Sequence, residues 1–196
     1  DSIEEKITPK TKAIITVALY GLSPDMDPIM DLAEKHGLKV IEDNAECFLG
    51  EYKGKLVGTL GHCASFSFQS SKHLTSGEGG IILTNDVELA EGIRKVQSLG
   101  YAGVGAKKAK ISKADIQNPD YSRHVSMGWN YRMPELCCAV ALAQVENIDA
   151  LVAVRTKSAQ IFEEVTYEFH DWFRPQYVGP EYKNSYWTWA CKNLHE

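Results

Sequence analysis

The chain has 196 residues, 44% of them hydrophobic and 24% charged, with a formal net charge of -5. That length suits one domain, or one domain with the start of another, and the composition is that of a folded globular protein rather than a disordered one. Lys and Arg are scattered except at Lys107, Lys108 and Lys110, a run expected on a loop tip, which argues against a nucleic-acid groove. No segment approaches the ~18 uninterrupted apolar residues of a membrane span. The N-terminus also lacks the basic and apolar regions of a signal peptide, so a cytoplasmic protein is expected.

Five cysteines (Cys47, Cys63, Cys137, Cys138, Cys191) form no C-x-x-C pair and the histidines show no H-E-x-x-H spacing. Reduced buried thiols are therefore expected rather than a disulfide framework or a metal site. The chain begins at Asp1 without an initiator Met and stops at Glu196 after an alternating aromatic run, and so reads as a fragment.

In chain order, residues 12–20 (KAIITVALY) are β-branched and apolar and predict a strand buried on both faces. A helix is predicted over 25–36, from the Ser-Pro-Asp turn to Gly37, with Ile29, Met30, Leu32 and Ala33 as its apolar face. A strand at 38–41 follows, and the β–α–β order with short connections predicts parallel strands joined by a right-handed crossover. Residues 50–62 are rich in Gly and charge and suit an exposed hairpin, while 64–68 and 80–84 read as further strands. A helix over 86–99 is expected to be capped by Asn85 or Asp86. Residues 100–124 carry breakers and no periodicity, predicting a long functional loop; the Gly103-Val104-Gly105 within it lacks the strand and helix of a dinucleotide fingerprint. Helices are predicted from Pro134 onward and over 149–169, and 186–194 alternates like a strand with no partner in this chain.

Two segments carry chemistry. Lys72 lies just past a predicted strand among Ser, Thr and Gly (FSFQSSKHLTSGEGG, 66–80), and Glu42, Asp43 and Glu46 lie where another strand ends (VIEDNAE, 40–46). Strand ends are where α/β sheets present ligands. Taken singly, each residue has a plainer reading: a solvated lysine, an acid capping a turn, a strand serine at Ser67, an asparagine in a turn at Asn130.

Together the segments resemble the DegT/DnrJ/EryC1/StrS family of pyridoxal-phosphate sugar aminotransferases, with its E-D-A-A-Q strand end followed by S-F-x-x-x-K-x-L-T-x-G-E-G-G. The opening TKAIITVALYG, the GWNYRMPE at 128–135 (family G-x-N-Y-R-M-x-E) and the LAQVENID at 142–149 extend the resemblance over nearly the whole chain. It implies an α/β fold: the large domain of a type I pyridoxal-phosphate transferase (aspartate-aminotransferase-like), with a mostly parallel sheet and flanking helices. Residues 1–170 would then be that large domain, lacking an N-terminal phosphate turn, and 171–196 a linker with the first strand of a truncated small domain.

Carried over by position, the resemblance makes Lys72 the lysine that joins the aldehyde of pyridoxal 5'-phosphate as a Schiff base and then shuttles a proton. Asp43 would pair with the pyridine nitrogen, Ser67 would bond the cofactor phosphate, and Asn130 would reach the phosphate of a neighbouring subunit's cofactor in a homodimer with shared sites. A carboxylate at Asp43 keeps that nitrogen protonated, so the ring accepts electrons when a C–H bond breaks. Glu78 and Arg132 are read as structural, paired with each other or across a dimer.

Two positions depart from the family. Glu46 replaces the usual Gln, and burial beside the cofactor's phenolic oxygen is expected to keep it protonated, as a donor. Ala18 stands where a His often precedes L-Y-G. The implied activity is transfer of an amino group from glutamate or glutamine to a keto-sugar, nucleotide-linked, in amino-sugar, polysaccharide or antibiotic biosynthesis. Two alternatives stay open: a deoxysugar dehydratase, in which His replaces the lysine, and a non-catalytic cofactor-binding regulatory or assembly protein.

Overall fold

The computed structural model describes residues 2–102 and 111–195; the Lys107, Lys108 and Lys110 run and Gly103-Val104-Gly105 lie outside the described residues. The chain divides into two units, Asp1–Leu83 with Glu135–Glu196, and Thr84–Pro134.

The first unit opens with a short helix α1 (Ile3–Lys6), then β1 (Ala13–Val17), α2 (Met26–His36), β2 (Lys39–Asp43), the hairpin strands β3 (Glu51–Tyr52) and β4 (Lys55–Leu56), β5 (Cys63–Ser67) and β6 (Gly80–Leu83). β1, β2, β5 and β6 form one sheet in that order. The pairs β1–β2 (Val17 beside Asp43) and β2–β5 (Asp43 beside Ser65) are parallel, and β5–β6 (Ser67 beside Gly80) is antiparallel. The result is a mixed, mostly parallel sheet.

Helix α2 forms because Met26, Ile29 and Ala33 recur at helical spacing, and all three are buried. It stops at Gly37, which adopts φ 63° and donates its N–H to the carbonyls of Ala33 and Glu34, a left-handed cap that a side chain would strain. The buried face packs on Leu38, Val40 and Tyr52, with Ile14 and Met30 against them. Each fully buried Met, Ile, Leu or Val among them contributes about 1.5–3 kcal/mol through loss of apolar surface to water.

Paired residues of neighbouring strands share a sheet face. Ile14 and Val40 therefore point together toward α2, while Ile15 and Val17 point the other way and remain 65% and 50% exposed. The expectation that this strand is buried on both faces is corrected: among the described residues one face is covered. The strand is also shorter than the apolar run. Ala18 donates to the Asp43 carbonyl and the chain then turns through residues 19–21, with Tyr20 at φ 60°.

The second unit holds α3 (Val87–Gln97) and α4 (Lys113–Gln117). Of the two caps expected for α3, Asp86 is used, accepting the Leu89 N–H at 3.0 Å. The segment expected as a long loop contains α4, started by a reciprocal Ser112–Asp115 capping box, and an isolated bridge between Tyr101 and His124. Trp129 and Asn130 donate their N–H groups to the carbonyls of Val96 and Ser98 at the end of α3.

The first unit resumes with α5 (Glu135–Val145), α6 (Ile148–Tyr167), β7 (Phe173–Pro175), β8 (Tyr182–Lys183) and β9 (Cys191–Asn193). Among the described residues no single helix is long and apolar enough to cross a membrane. β8 extends the β4–β3 hairpin, with Tyr182 beside Tyr52. The expected unpartnered strand at 186–194 is corrected: it narrows to β9, which pairs antiparallel with β7. The aromatics before it pack on helix α6 instead, Tyr186 donating its hydroxyl to Glu163 and Trp189 stacking on Phe162 at 5.5 Å.

Candidate functional site

Parallel strands β1, β2 and β5 end at the same edge of the sheet, and Tyr20, Asp43, Glu46, Ser67 and Lys72 leave from those ends or the turns just beyond. Asp43 is in register with Ser65, and Ser67, two residues on, points to the same face, the one opposite α2. The Asp43 carboxylate accepts the Ala45 N–H at 3.1 Å, and the Ser67 hydroxyl accepts the Gln69 N–H at 3.2 Å. Both keep further lone pairs for a ligand.

Glu42 beside Asp43 points inward. It is 1% exposed, and its carboxylate accepts the N–H groups of Gly58, Leu60 and Gly61 at 2.7, 2.8 and 2.6 Å. Adjacent acids thus serve different ends because successive strand side chains face opposite ways. Glu42 builds the turn at 58–61; Asp43 faces the open side.

Lys72 rides on a tight turn in which its N–H donates to the Gln69 carbonyl at 3.0 Å and the Gln69 side chain accepts from the Ser71 N–H and hydroxyl. Buried His73 and Leu74 pin the exit of the turn. The Lys72 ammonium lies 3.6 Å from Glu46 Oε1, with both side chains mostly buried, and 4.5 Å from the centre of the Trp187 ring. Glu46 Oε2 accepts the Tyr20 N–H at 3.0 Å.

The family-typical His position is filled by Ala18, which is buried against Cys47 and Val57. Burial pushes the Cys47 thiol up to about 11, and it donates to the Gly21 carbonyl at 3.2 Å. Burial likewise pushes His73 down to about 4. Its Nε2 meets the Ser185 carbonyl at 2.9 Å and its Nδ1 has no hydrogen-bond partner among the described residues. A cleft of about 280 Å³ beside Tyr20 is lined by Leu19, Arg174 and Lys192.

Of the residues expected from the sequence, Lys72 and Glu46 meet directly, and Asp43 and Ser67 share a sheet face. Asn130 belongs to the second unit, at φ 56°, where its side-chain oxygen accepts the Arg132 Nε–H at 2.8 Å. Sequence reasoning missed Tyr20, Arg155 and Trp187. Arg155 donates to the carbonyls of Ser71, Lys72 and Trp187, over separations of 84, 83 and 32 residues. No local pattern signals such contacts.

The sequence profile of the DegT/DnrJ/EryC1/StrS aminotransferase family matches residues 1–190. A GDP-perosamine synthase of Escherichia coli O157:H7 is 41% identical over 83% of this chain and 40% of its own length. A pleiotropic regulatory protein of Geobacillus stearothermophilus is 38% identical over 85% of this chain and 40% of its own. The crystal structure of an aminotransferase from Psychrobacter cryohalolentis superposes with a TM-score of 0.83 at 30% identity, over 95% of this chain and 48% of that one. The chain therefore spans about half or less of the length of these relatives.

Proposed function

We propose, from the premise that the chain belongs to the DegT/DnrJ/EryC1/StrS aminotransferase family, that it supplies the cofactor-binding part of an enzyme moving an amino group from glutamate or glutamine to a nucleotide-linked keto-sugar. The family's cofactor is pyridoxal 5'-phosphate, and the fold is that of type I pyridoxal-phosphate enzymes. The chemistry of the donor set fits this group: an amine for its aldehyde, a carboxylate for its ring nitrogen, and a hydroxyl for its phosphate. When bound, the cofactor supplies an electron sink for the carbanion left when a C–H bond breaks.

In this reading Lys72 would hold the cofactor through its aldehyde and would be the amine available to carry a proton, with Glu46 and Trp187 on either side of it. Asp43 would hold the ring through its nitrogen, and Ser67 would bond a phosphate oxygen. Asn130 of a second copy completes the phosphate site of a homodimer. Residues 1–170 act as the large domain, and 171–196 open a smaller one. Arg174 and Lys192, opposite each other in the β7–β9 register and lining the cleft beside Tyr20, suit the phosphates of a nucleotide-linked sugar.

The observation that carries the reading is the meeting of Lys72 with Glu46 at the strand ends, on the edge where Asp43 and Ser67 also stand. Lysine rather than His at position 72 disfavours a dehydratase. The neighbouring His73 offers no substitute, being turned to the Ser185 carbonyl. The test follows the cofactor: with the protein present, glutamate or glutamine should convert pyridoxal 5'-phosphate to pyridoxamine 5'-phosphate, and a nucleotide-linked keto-sugar should discharge the amine. Cofactor bound at Lys72 but unchanged by either donor would instead mean a binding or regulatory role.

A further inference from the structure

We propose that Trp187 is a positioning residue for Lys72, its ring face holding the amine in place. The inference rests on reading Lys72 as the cofactor-bearing lysine.

A lysine amine sits on four rotatable bonds, and ordering it costs entropy that other contacts must offset. Here two groups bracket it, the Glu46 carboxylate at 3.6 Å and the Trp187 ring at 4.5 Å. The face of an indole is the best aromatic partner for an ammonium. The same indole donates its Nε1–H to the Ser71 carbonyl at 2.9 Å, so ring and turn move together. Arg155 locks the arrangement from helix α6, donating to the Trp187 carbonyl at 2.6 Å and the Lys72 carbonyl at 2.9 Å. Tyr20, whose N–H holds Glu46, lies nearly parallel to the Trp187 ring, 12° between planes and 6.4 Å between centres.

The segment that delivers Trp187 is itself fixed. Asn184 and Ser185 are buried, the Ser185 N–H donates to the Gly21 carbonyl at 3.0 Å, and Tyr186 is held at φ 50° with its N–H on the Asn184 side chain at 2.8 Å. A non-glycine residue in that conformation persists only where its surroundings impose it. Trp187 itself is half-exposed and faces an amine and a tyrosine rather than a hydrophobic core. Its placement serves Lys72 more than the packing of the unit.

The test uses the protein without cofactor. Brief acylation with acetic anhydride, read by peptide mass spectrometry, gives the reactivity of Lys72 relative to Lys53 and Lys183, whose ion pairs with Asp27 and Glu51 lie elsewhere. Trp187→Leu removes the ring, and Lys72 should react roughly 3- to 30-fold faster with the two reference lysines unchanged. Trp187→Phe keeps a ring face and should hold the Lys72 rate within about twofold of the original. Equal acceleration in both variants, or none in the leucine variant, overturns the proposal. Should the leucine variant unfold and expose all three lysines, the phenylalanine variant decides: an unchanged Lys72 rate supports the proposal, and a selectively raised one overturns it. Failure of the original protein to capture pyridoxal 5'-phosphate at Lys72 would overturn the function proposed above and leave the acylation result standing.

Discussion

Two turns of the first unit are each held by one charged side chain bonded to three backbone groups, yet they do different work. At 58–61 the buried Glu42 carboxylate accepts three N–H groups from within the core. At 71–72 the half-exposed Arg155 guanidinium donates to two carbonyls of the turn and to that of Trp187. The first anchor has no water to fall back on, so its loss leaves three donors unpaired. Around the second, the bond to Ser71 is exposed and the other two are part-buried, so solvent can replace more of what is lost. A buried anchor is a matter of stability, and a half-exposed one beside Lys72 is a matter of aim.

The sharpest break of this contrast is Glu42→Ala, expected to cost about 4 kcal/mol in urea unfolding because buried donors lose a charged acceptor. If Arg155→Met cost as much, the distinction between the two turns would vanish.

Next comes His73, which sits between the Lys72 turn and the 184–187 segment. Burial lowers its affinity for protons from the ordinary 6.5 to about 4. The unfolded chain therefore binds a proton before the folded one does. The stability His73 contributes is fully present above pH 6.5 and is lost as pH falls toward 4, by up to ~3 kcal/mol. Unfolding midpoints measured across that window should drop for the original protein and flatten for His73→Asn; parallel curves would show that another group sets the acid limit.

Gly58→Ala probes the Glu42 turn from its other side. A Cβ there would meet the Phe66 ring at 2.5 Å with φ at +97°. A cost of about 2 kcal/mol is expected from steric and backbone strain, and a melting temperature equal to the original would mean the turn relaxes freely. The smallest change in stability belongs to Arg155→Met, about 1 kcal/mol. Its larger effect is expected on cofactor capture, about tenfold slower because the Lys72 turn is loosened. Capture at the original rate would remove Arg155 from the account.

Much of this was legible from local pattern. The Asp86 cap, the Gly37 stop, and the placing of Asp43 and Lys72 at strand ends each depend on a few consecutive residues, where side-chain chemistry and backbone geometry are coupled directly. What escaped depends on distant partners. Ile15 and Val17 look like the residues of a doubly buried strand, but alternation along a strand says nothing about whether anything covers the second face. The aromatics at 186–189 alternate as a strand would, yet Tyr186 leaves for Glu163 and Trp187 for Ser71, 116 residues away. The opposite orientations of Glu42 and Asp43 follow from strand geometry, whereas the three N–H groups awaiting Glu42 belong to a turn that only the fold brings back.

The central claim is that Lys72 is the amine that binds the cofactor aldehyde. Incubation with pyridoxal 5'-phosphate, reduction with borohydride and peptide mapping should place a pyridoxyl group on Lys72, with none there in Lys72→Ala and markedly less in Asp43→Ala. A protein that carries its adduct on another lysine, or takes up none under conditions where it is folded, would contradict the account.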